Sequence, residues 1–434
     1  MNKDEITILI NEDLDQMMLG LNSSLLYILL AFDYFKNVNV IRIDQNQNFP
    51  HGNFDYYQID QKVARHALQE YQIINQNIRI NDLQLAQDFT IPLGNWLKKN
   101  TLELFKKNVE KISSLNLQSH FILNRVEPMK APFPPQGKHD IQKFFKDLIE
   151  LFPSIHAPFQ LYDKEIIADL SIPSEIYNSN FNELHADQFC QKILLTIDKY
   201  QQLYPNSLNP KIVIKPLESA QSLGVFSIEF TNHPQAIKTC INYNSLLKQQ
   251  QYLIDRSIIQ QPIQLNKIIK KLCELQNIGK PITDLYGSKI IIQPFLEGIL
   301  IGDFRAIILK NQEQKFYLAG NIFRKKINFN QAKTFTTCAS SGQSIACSSL
   351  KFDQDLKPLT SKIINYLNQN QQKYHHIKFI GADLIALNKN CKEFFLAELN
   401  FSCPALISML GKKFEDVKSL ELFVGQKKYS PKSI

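Results

Sequence analysis

Glycine restricts this chain more than any other residue, because there is little of it and none of it is clustered. Fourteen glycines stand in 434 residues, about 3% where an average near 7% is usual. No two are adjacent or separated by a single residue. A backbone that wraps closely around a phosphate through a GxGxxG turn is therefore excluded, and with it the dinucleotide-binding and kinase glycine loops. Gly279-Lys280 has Glu274 where a Walker A loop would need its first glycine. Neither GxSxG nor HExxH occurs. Whatever chemistry the chain carries must be built from scattered strand and loop residues.

At 434 residues and 50.2 kDa the chain exceeds one ordinary core, so two or three domains are expected. Hydrophobic residues make up 44% and charged residues 21%, the balance of a globular chain. The run Leu25–Phe35 is too short to span a bilayer and contains Asp33. No apolar stretch follows a basic start, so no leader and no membrane partner are expected, and the cytoplasm is the expected compartment. Seven cysteines without a CxxC pair fit a reducing setting. The net charge of +8 is spread widely, densest only between Lys412 and Lys432. That pattern favours a solvated surface over a nucleic-acid footprint, and it also suits an anionic small substrate.

Glu5–Ile10 reads as a strand, Asn22-Ser23-Ser24 as a cap before a helix over Leu25–Tyr34, and Val38–Ile43 as a second strand. Strand, helix, strand opens an α/β domain. The Gln/Asn-rich stretch from about 55 to 110 suggests helical patches, with Trp96–Ile112 amphipathic, and Phe121–Leu123 reads as a strand. The proline-rich segment Pro128–Pro135 reads as a linker. Beyond residue 210 strands predominate: 211–215, 290–293, 304–309, 315–323, 379–387 and 393–399. Helices are expected over Leu265–Leu275 and Leu359–Gln372. Long antiparallel strands with few helices indicate α+β there.

Four pieces of sequence carry chemistry. Ile212-Val213-Ile214-Lys215-Pro216 is a buried-type strand ending in a lysine, which is either an exposed strand end or a cation aimed at a site. Ile291 to Gly298 is an apolar strand that breaks at Pro294 and offers backbone donors and acceptors, as an ordinary turn would also do. Arg305 opens one strand and Arg324 ends the next; they form either a surface charge pair or a phosphate clamp. Gly381-Ala382-Asp383 and Glu398-Leu399-Asn400 are the most specific. Glu398 and Asn400, two apart on a strand, share one face among apolar neighbours. Carboxylates there need either a buried cationic side chain or a metal such as magnesium, which takes hard oxygen ligands.

Together these pieces resemble the ATP-grasp superfamily, with bacterial glutathione synthetases the nearest pattern. The N-terminal strand, helix and strand, and Asn124-Arg125-Val126-Glu127-Pro128 through Pro132-Phe133, look like that family's opening. The resemblance implies an α/β (α+β) ATP-grasp fold preceded by an N-terminal α/β pre-ATP-grasp domain over 1–135. The ATP-grasp domain would span 136–425, with a lid near 211–296, a catalytic part near 297–425 and a tail at 426–434. Lys164 and Lys215 would meet ATP phosphates; Gln293, Pro294, Phe295 and Leu296 would hold adenine, and Glu297 would approach the ribose. Arg305 and Arg324 would stabilise the transferring phosphoryl group. Asp383, Glu398 and Asn400 would bind two Mg2+ ions, with Mn2+ as substitute. Arg125, Gln343, Ser402 and Pro404 fall where the family contacts its substrates.

That likeness implies a carboxylate–amine ligase acting on a small-molecule acid and amine, with γ-glutamylcysteine and glycine the first guess and a homo-oligomer left open. Two loops depart from the family. Leu217–Gly224 has one glycine where the family has a glycine-rich flap, and Cys338–Ser344 places Gln343 where an arginine is expected. The first reduces the close backbone approach to phosphate that glycine allows, the second leaves substrate identity open, and together they keep open a degenerate module that binds nucleotide or a partner without turnover. Residues 230–289 also exceed the family's length.

Overall fold

The computed structural model describes residues 2–10, 37–43, 54–60, 62, 66, 109–112, 119–124, 155–156, 162–163, 167, 169–178, 183–217, 224–232, 250–276, 289–310, 313–326, 342–346, 352–375, 377 and 379–401. They form three sheets in a mixed α/β architecture.

The first sheet centres on β1 (Asn2–Ile10), parallel to β2 (Asn37–Ile43) on one side and to β5 (Ser119–Asn124) on the other. It is extended by β3 (Phe54–Ile59) and β4 (Val109–Ile112) beyond β2, and by β6 (Ile155–His156) beyond β5. Ile6, Thr7, Ile8 and Leu9 are buried in succession, as are Val38, Asn39, Val40 and Ile41. Burial of consecutive residues belongs to strands covered on both faces, which is the environment of a parallel sheet. The strands expected at 5–10, 38–43 and 121–123 are present. Two expectations are corrected: 54–59 and 109–112 are paired strands rather than helix. Aromatic Phe54, Tyr56 and Tyr57 and branched Ile59, Val109 and Ile112 suit a pleated surface, and pairing overrides the helical spacing. The helix expected over 25–34 and the linker at 128–135 lie outside the described residues.

The second sheet runs β11 (Gln250–Asp255), β10 (Phe226–Thr231), β9 (Lys211–Pro216), β12 (Lys289–Pro294), β8 (Glu175–Asn178). It takes in β8, which precedes the segment where this sheet was expected to begin. Only β10 and β11 are parallel; the other pairs are antiparallel. Helices α1 (Ala186–Leu203) and α2 (Pro262–Gln276) pack with it. Along α1 the buried residues are Ala186, Phe189, Cys190, Ile193, Thr196, Ile197 and Tyr200, the stripe of a half-buried helix. Pro216 was expected to stop its ladder, yet it pairs with Ile290, and the Leu217 amide donates to the Lys289 carbonyl at 3.1 Å. Proline lacks a donor but still occupies a register position where none is needed.

The third sheet is wholly antiparallel: β15 (Gly342–Ala346), β14 (Phe316–Lys326), β13 (Gly302–Lys310), β16 (Phe379–Ala386), β17 (Phe394–Asn400), β7 (Tyr162–Asp163). Helix α3 (Asp353–Gln369) covers one face, burying Leu356, Leu359, Ile363 and Leu367 against Phe304, Ala306, Ile308, Ala382 and Leu384. Asp353 and Asp355 sit in its first turn, where negative charge complements the helix dipole. The other face of the sheet is left for the site. No helix among the described residues is long and apolar enough to cross a membrane.

Candidate functional site

The site begins with a bulge. Between β16 and β17 the register pairs Asp383 with Glu398 but Leu384 with Leu396, so Ala397 is an extra residue. An inserted residue shifts the alternation of side chains beyond it. Phe394 and Leu396 therefore join the core before the bulge, and Leu399 and Phe401 join it after. Glu398 and Asn400 are released onto the face opposite, beside Asp383. The strand that would have buried a glutamate against α3 instead presents it at the site.

Arg305 lies directly across from Asp383 on β13. Its Nε donates to Oδ1 at 2.6 Å and its Nη2 to Oδ2 at 2.8 Å, a bidentate pair with arginine 7% and aspartate 6% exposed. Planar fork-to-carboxylate geometry is what a buried charge pair requires. Asn400 Nδ2 then donates to Asp383 Oδ2 at 3.1 Å and to Glu398 Oε1 at 3.2 Å. The four side chains make one connected group, with the asparagine amide separating two carboxylates that would otherwise repel.

Lys215 approaches from the second sheet. It is 9% exposed, and Glu398 and Asp383 are the charges that act on it. Burial lowers its pKa, against the opposing pull of those two carboxylates, and the net direction is down. The charges of Glu398 and Asp383 on the third sheet thus act on a buried lysine of the second.

β12 delivers the segment between those sheets. Gln293 pairs with Val213 and Pro294 with Ile212. The Phe295 amide donates to the Lys211 carbonyl at 3.0 Å. Phe295 packs with Tyr200 and Val213, while Leu296 packs with Ile172 and Leu387. Glu297 opens a 3-10 turn, Glu297–Leu300, that leads into β13. A Cβ at Gly298 would stand 2.2 Å from the Ala386 carbonyl oxygen, so this turn lies directly on the end of β16.

Of the residues singled out from the sequence, the structure brings together Lys215, Arg305, Asp383, Glu398 and Asn400, with Gln293 to Glu297 on the connecting segment. For Arg324 and Gln343 only the backbone is described: Arg324 pairs with Asp303 and Ser344, and Gln343 with Lys325. Lys164, Arg125, Ser402 and Pro404 lie outside the described residues. Sequence reasoning missed Tyr204, whose hydroxyl accepts from the Glu297 amide at 3.0 Å and donates to the Leu387 carbonyl. Its only sequence signal is an aromatic residue at the end of an amphipathic helix.

Asp383, Glu398 and Asn400 fit a hard cation in donor chemistry. Both oxygens of Asp383 already accept from Arg305, and Asn400, donating through Nδ2, has Oδ1 to offer a metal. Among the described residues no three histidine, cysteine or carboxylate side chains converge on one point. Two carboxylates and an amide suit an ion that takes the rest of its shell from phosphate or water.

No protein-family model matches the sequence, and no curated protein matches it. Among solved structures the chain is similar to a D-alanine-D-alanine ligase from Helicobacter pylori at 14% identity and TM-score 0.42, covering 98% of this chain and 99% of that one. It is similar to D-alanyl-alanine synthetase A from Vibrio cholerae at 8% identity and TM-score 0.44, covering 97% and 98%. It is also similar to the ADP complex of N5-carboxyaminoimidazole ribonucleotide synthetase at 10% identity and TM-score 0.40, covering 92% and 70%. Likeness of this degree carries nothing further about chemistry.

Proposed function

We propose that this chain is an ATP-dependent carboxylate–amine ligase of the ATP-grasp type. The observation that carries the reading is the hydrogen-bonded Arg305–Asp383–Asn400–Glu398 group, whose two carboxylate charges act on buried Lys215 of the second sheet. Lys215, Arg305, Asp383 and Glu398 sum to zero formal charge. A divalent metal alone would leave buried positive charge there, and a polyphosphate alone would leave negative charge. The two together restore the balance, so the site suits a metal–nucleotide complex.

In this reading Lys215 meets nucleotide phosphates, the 293–296 segment takes adenine, and Glu297 approaches the ribose. Glu398 joins Asp383 and Asn400 in holding magnesium. Magnesium, when bound, supplies neutralisation of the phosphate charge. Arg305 adds a fixed cation next to the transferring group. The acid's carboxylate oxygen attacks the γ-phosphorus and ADP leaves; the amine nitrogen then attacks the acyl carbon and inorganic phosphate leaves. Such catalysis is positioning and charge stabilisation, which needs no protein nucleophile. Arg324 and Lys164 are proposed as further phosphate contacts, and Arg125, Gln343, Ser402 and Pro404 as substrate contacts. The division at 135, with a lid near 211–296 and a catalytic part near 297–425, is proposed with the same fold.

The first substrates to test are γ-glutamylcysteine and glycine. A second reading, a module that binds nucleotide without turnover, is favoured by one observation: Arg305 occupies both oxygens of Asp383. Thermal unfolding with ATP, with and without magnesium, tests the binding that both readings require, because a ligand raises stability by RT ln(1 + [L]/Kd). The proposal expects magnesium-dependent protection in the wild type and its loss in Glu398→Gln, with the unliganded midpoint held. Equal protection in both proteins would contradict the metal assignment, and no protection in either would contradict nucleotide binding.

A further inference from the structure

Two small apolar clusters flank the passage from β12 into the third sheet: Tyr200, Val213 and Phe295 in one, Ile172, Leu296 and Leu387 in the other. Among the described residues Tyr204, at the C-terminal end of α1, is the one side chain packed against both. Its ring lies 4.8 Å from that of Tyr200, centroid to centroid. The hydroxyl then completes a chain of hydrogen bonds, accepting from the Glu297 amide at 3.0 Å and donating to the Leu387 carbonyl.

That chain answers a local need. The first amides of any helical turn have no partner within it. Here the N-cap is Leu296, which has no side-chain oxygen and makes no capping bond. Tyr204 supplies the acceptor from 93 residues upstream. It passes the bond on to the residue after β16, beside the point where Gly298 meets Ala386. Burial holds the phenol well above its ordinary pKa, so the hydroxyl stays protonated and able to donate across the physiological range.

We propose that Tyr204 is a positioning residue for the nucleotide: its hydroxyl ties the Leu296–Glu297 crossover to the end of β16. It thereby sets the 293–297 segment relative to Asp383 and Glu398. This rests on the nucleotide reading above. Both hydrogen bonds of the hydroxyl are to backbone atoms, of Glu297 and Leu387, so its effect passes through the backbone of Glu297.

The test is Tyr204→Phe in the full chain, which keeps the ring and removes the two bonds. Two readouts are needed: residue-resolved amide exchange, and ATP affinity in magnesium by calorimetry. The Glu297 amide should exchange at least about tenfold faster while Ile307 in β13 is unchanged, since a donor has lost its capping acceptor. The Kd for ATP should rise on the order of tenfold, with kcat little altered, because the hydroxyl acts on the binding segment and not on the reacting atoms. Tyr204→Leu should show the same loss of affinity together with a lower melting midpoint, separating the bonds from the packing. Unchanged exchange at Glu297 would overturn the tether. Faster exchange with unchanged ATP affinity would overturn the positioning role, as would wild-type affinity in Tyr204→Leu. Failure of the wild type to bind ATP would sink the function proposed above and the nucleotide part of this assignment, while the exchange result would still decide the tether.

Discussion

Lys215 is the residue on which the site's electrostatics turn. It is buried, it belongs to a different sheet from the acids that act on it, and burial lowers its pKa more than those acids raise it. A lysine whose folded pKa lies below its unfolded value of about 10.5 costs the fold stability while it is charged. That cost is present below the folded pKa and disappears as pH rises through the interval between the two values. Phosphate binding has the opposite demand, since it needs the charge. ATP affinity should therefore fall on the alkaline side at a lower pH than an ordinary lysine would dictate, and Lys215→Met should flatten that limb. At neutral pH the same variant should lose on the order of tenfold or more in ATP affinity, because charge-assisted bonds are worth about 1.5–3 kcal/mol. Calorimetry across pH measures both. Unaltered affinity in Lys215→Met would leave this lysine a buried cation under the charge of Glu398 and Asp383 with no part in nucleotide binding.

At the scale of elements, the turn Glu297–Leu300 and the bulge at Ala397 do most to shape the site. Gly298 has no room for a side chain: an added Cβ would meet backbone atoms of Ala386 at 2.2 and 2.7 Å. Backbone cannot swing aside as a flexible side chain can, so Gly298→Ala should destabilise by about 1–3 kcal/mol, the range of an overpacked core. Chemical denaturation measures this, and a neutral result would contradict the close seating of the turn. Much of this level was legible in advance. The strand pattern placed Arg305, Asp383, Glu398 and Asn400 on strands, with Glu398 and Asn400 on one face; the bulge at Ala397 was not legible, because Phe394 to Ala397 are all apolar and mark neither face. β3 and β4 were not legible, because polar neighbours and helical spacing outweighed a pairing that only the folded sheet supplies. Tyr204 was invisible for a related reason: its partners lie 93 and 183 residues away, beyond any local pattern.

For the molecule as a whole, three sheets divide the work. The first is built around parallel strands buried on both faces. The second delivers Lys215 and the connecting segment, and the third carries the acids and Arg305 with its back covered by α3. On the function proposed above, the second and third sheets together would hold a metal–nucleotide complex. The chain departs from the glutathione synthetase pattern at the single-glycine segment 217–224 and at Gln343, which was expected in a loop but lies in β15, paired with Lys325. The direct measurement is phosphate release from ATP and magnesium across a panel of acid and amine pairs, beginning with γ-glutamylcysteine and glycine. Release is expected to require the acid, to be completed to an amide by the amine, and to be abolished in Glu398→Gln. Release that is absent with every pair while ATP still binds, or that proceeds equally without any acid, would contradict the assignment of this chain as a carboxylate–amine ligase.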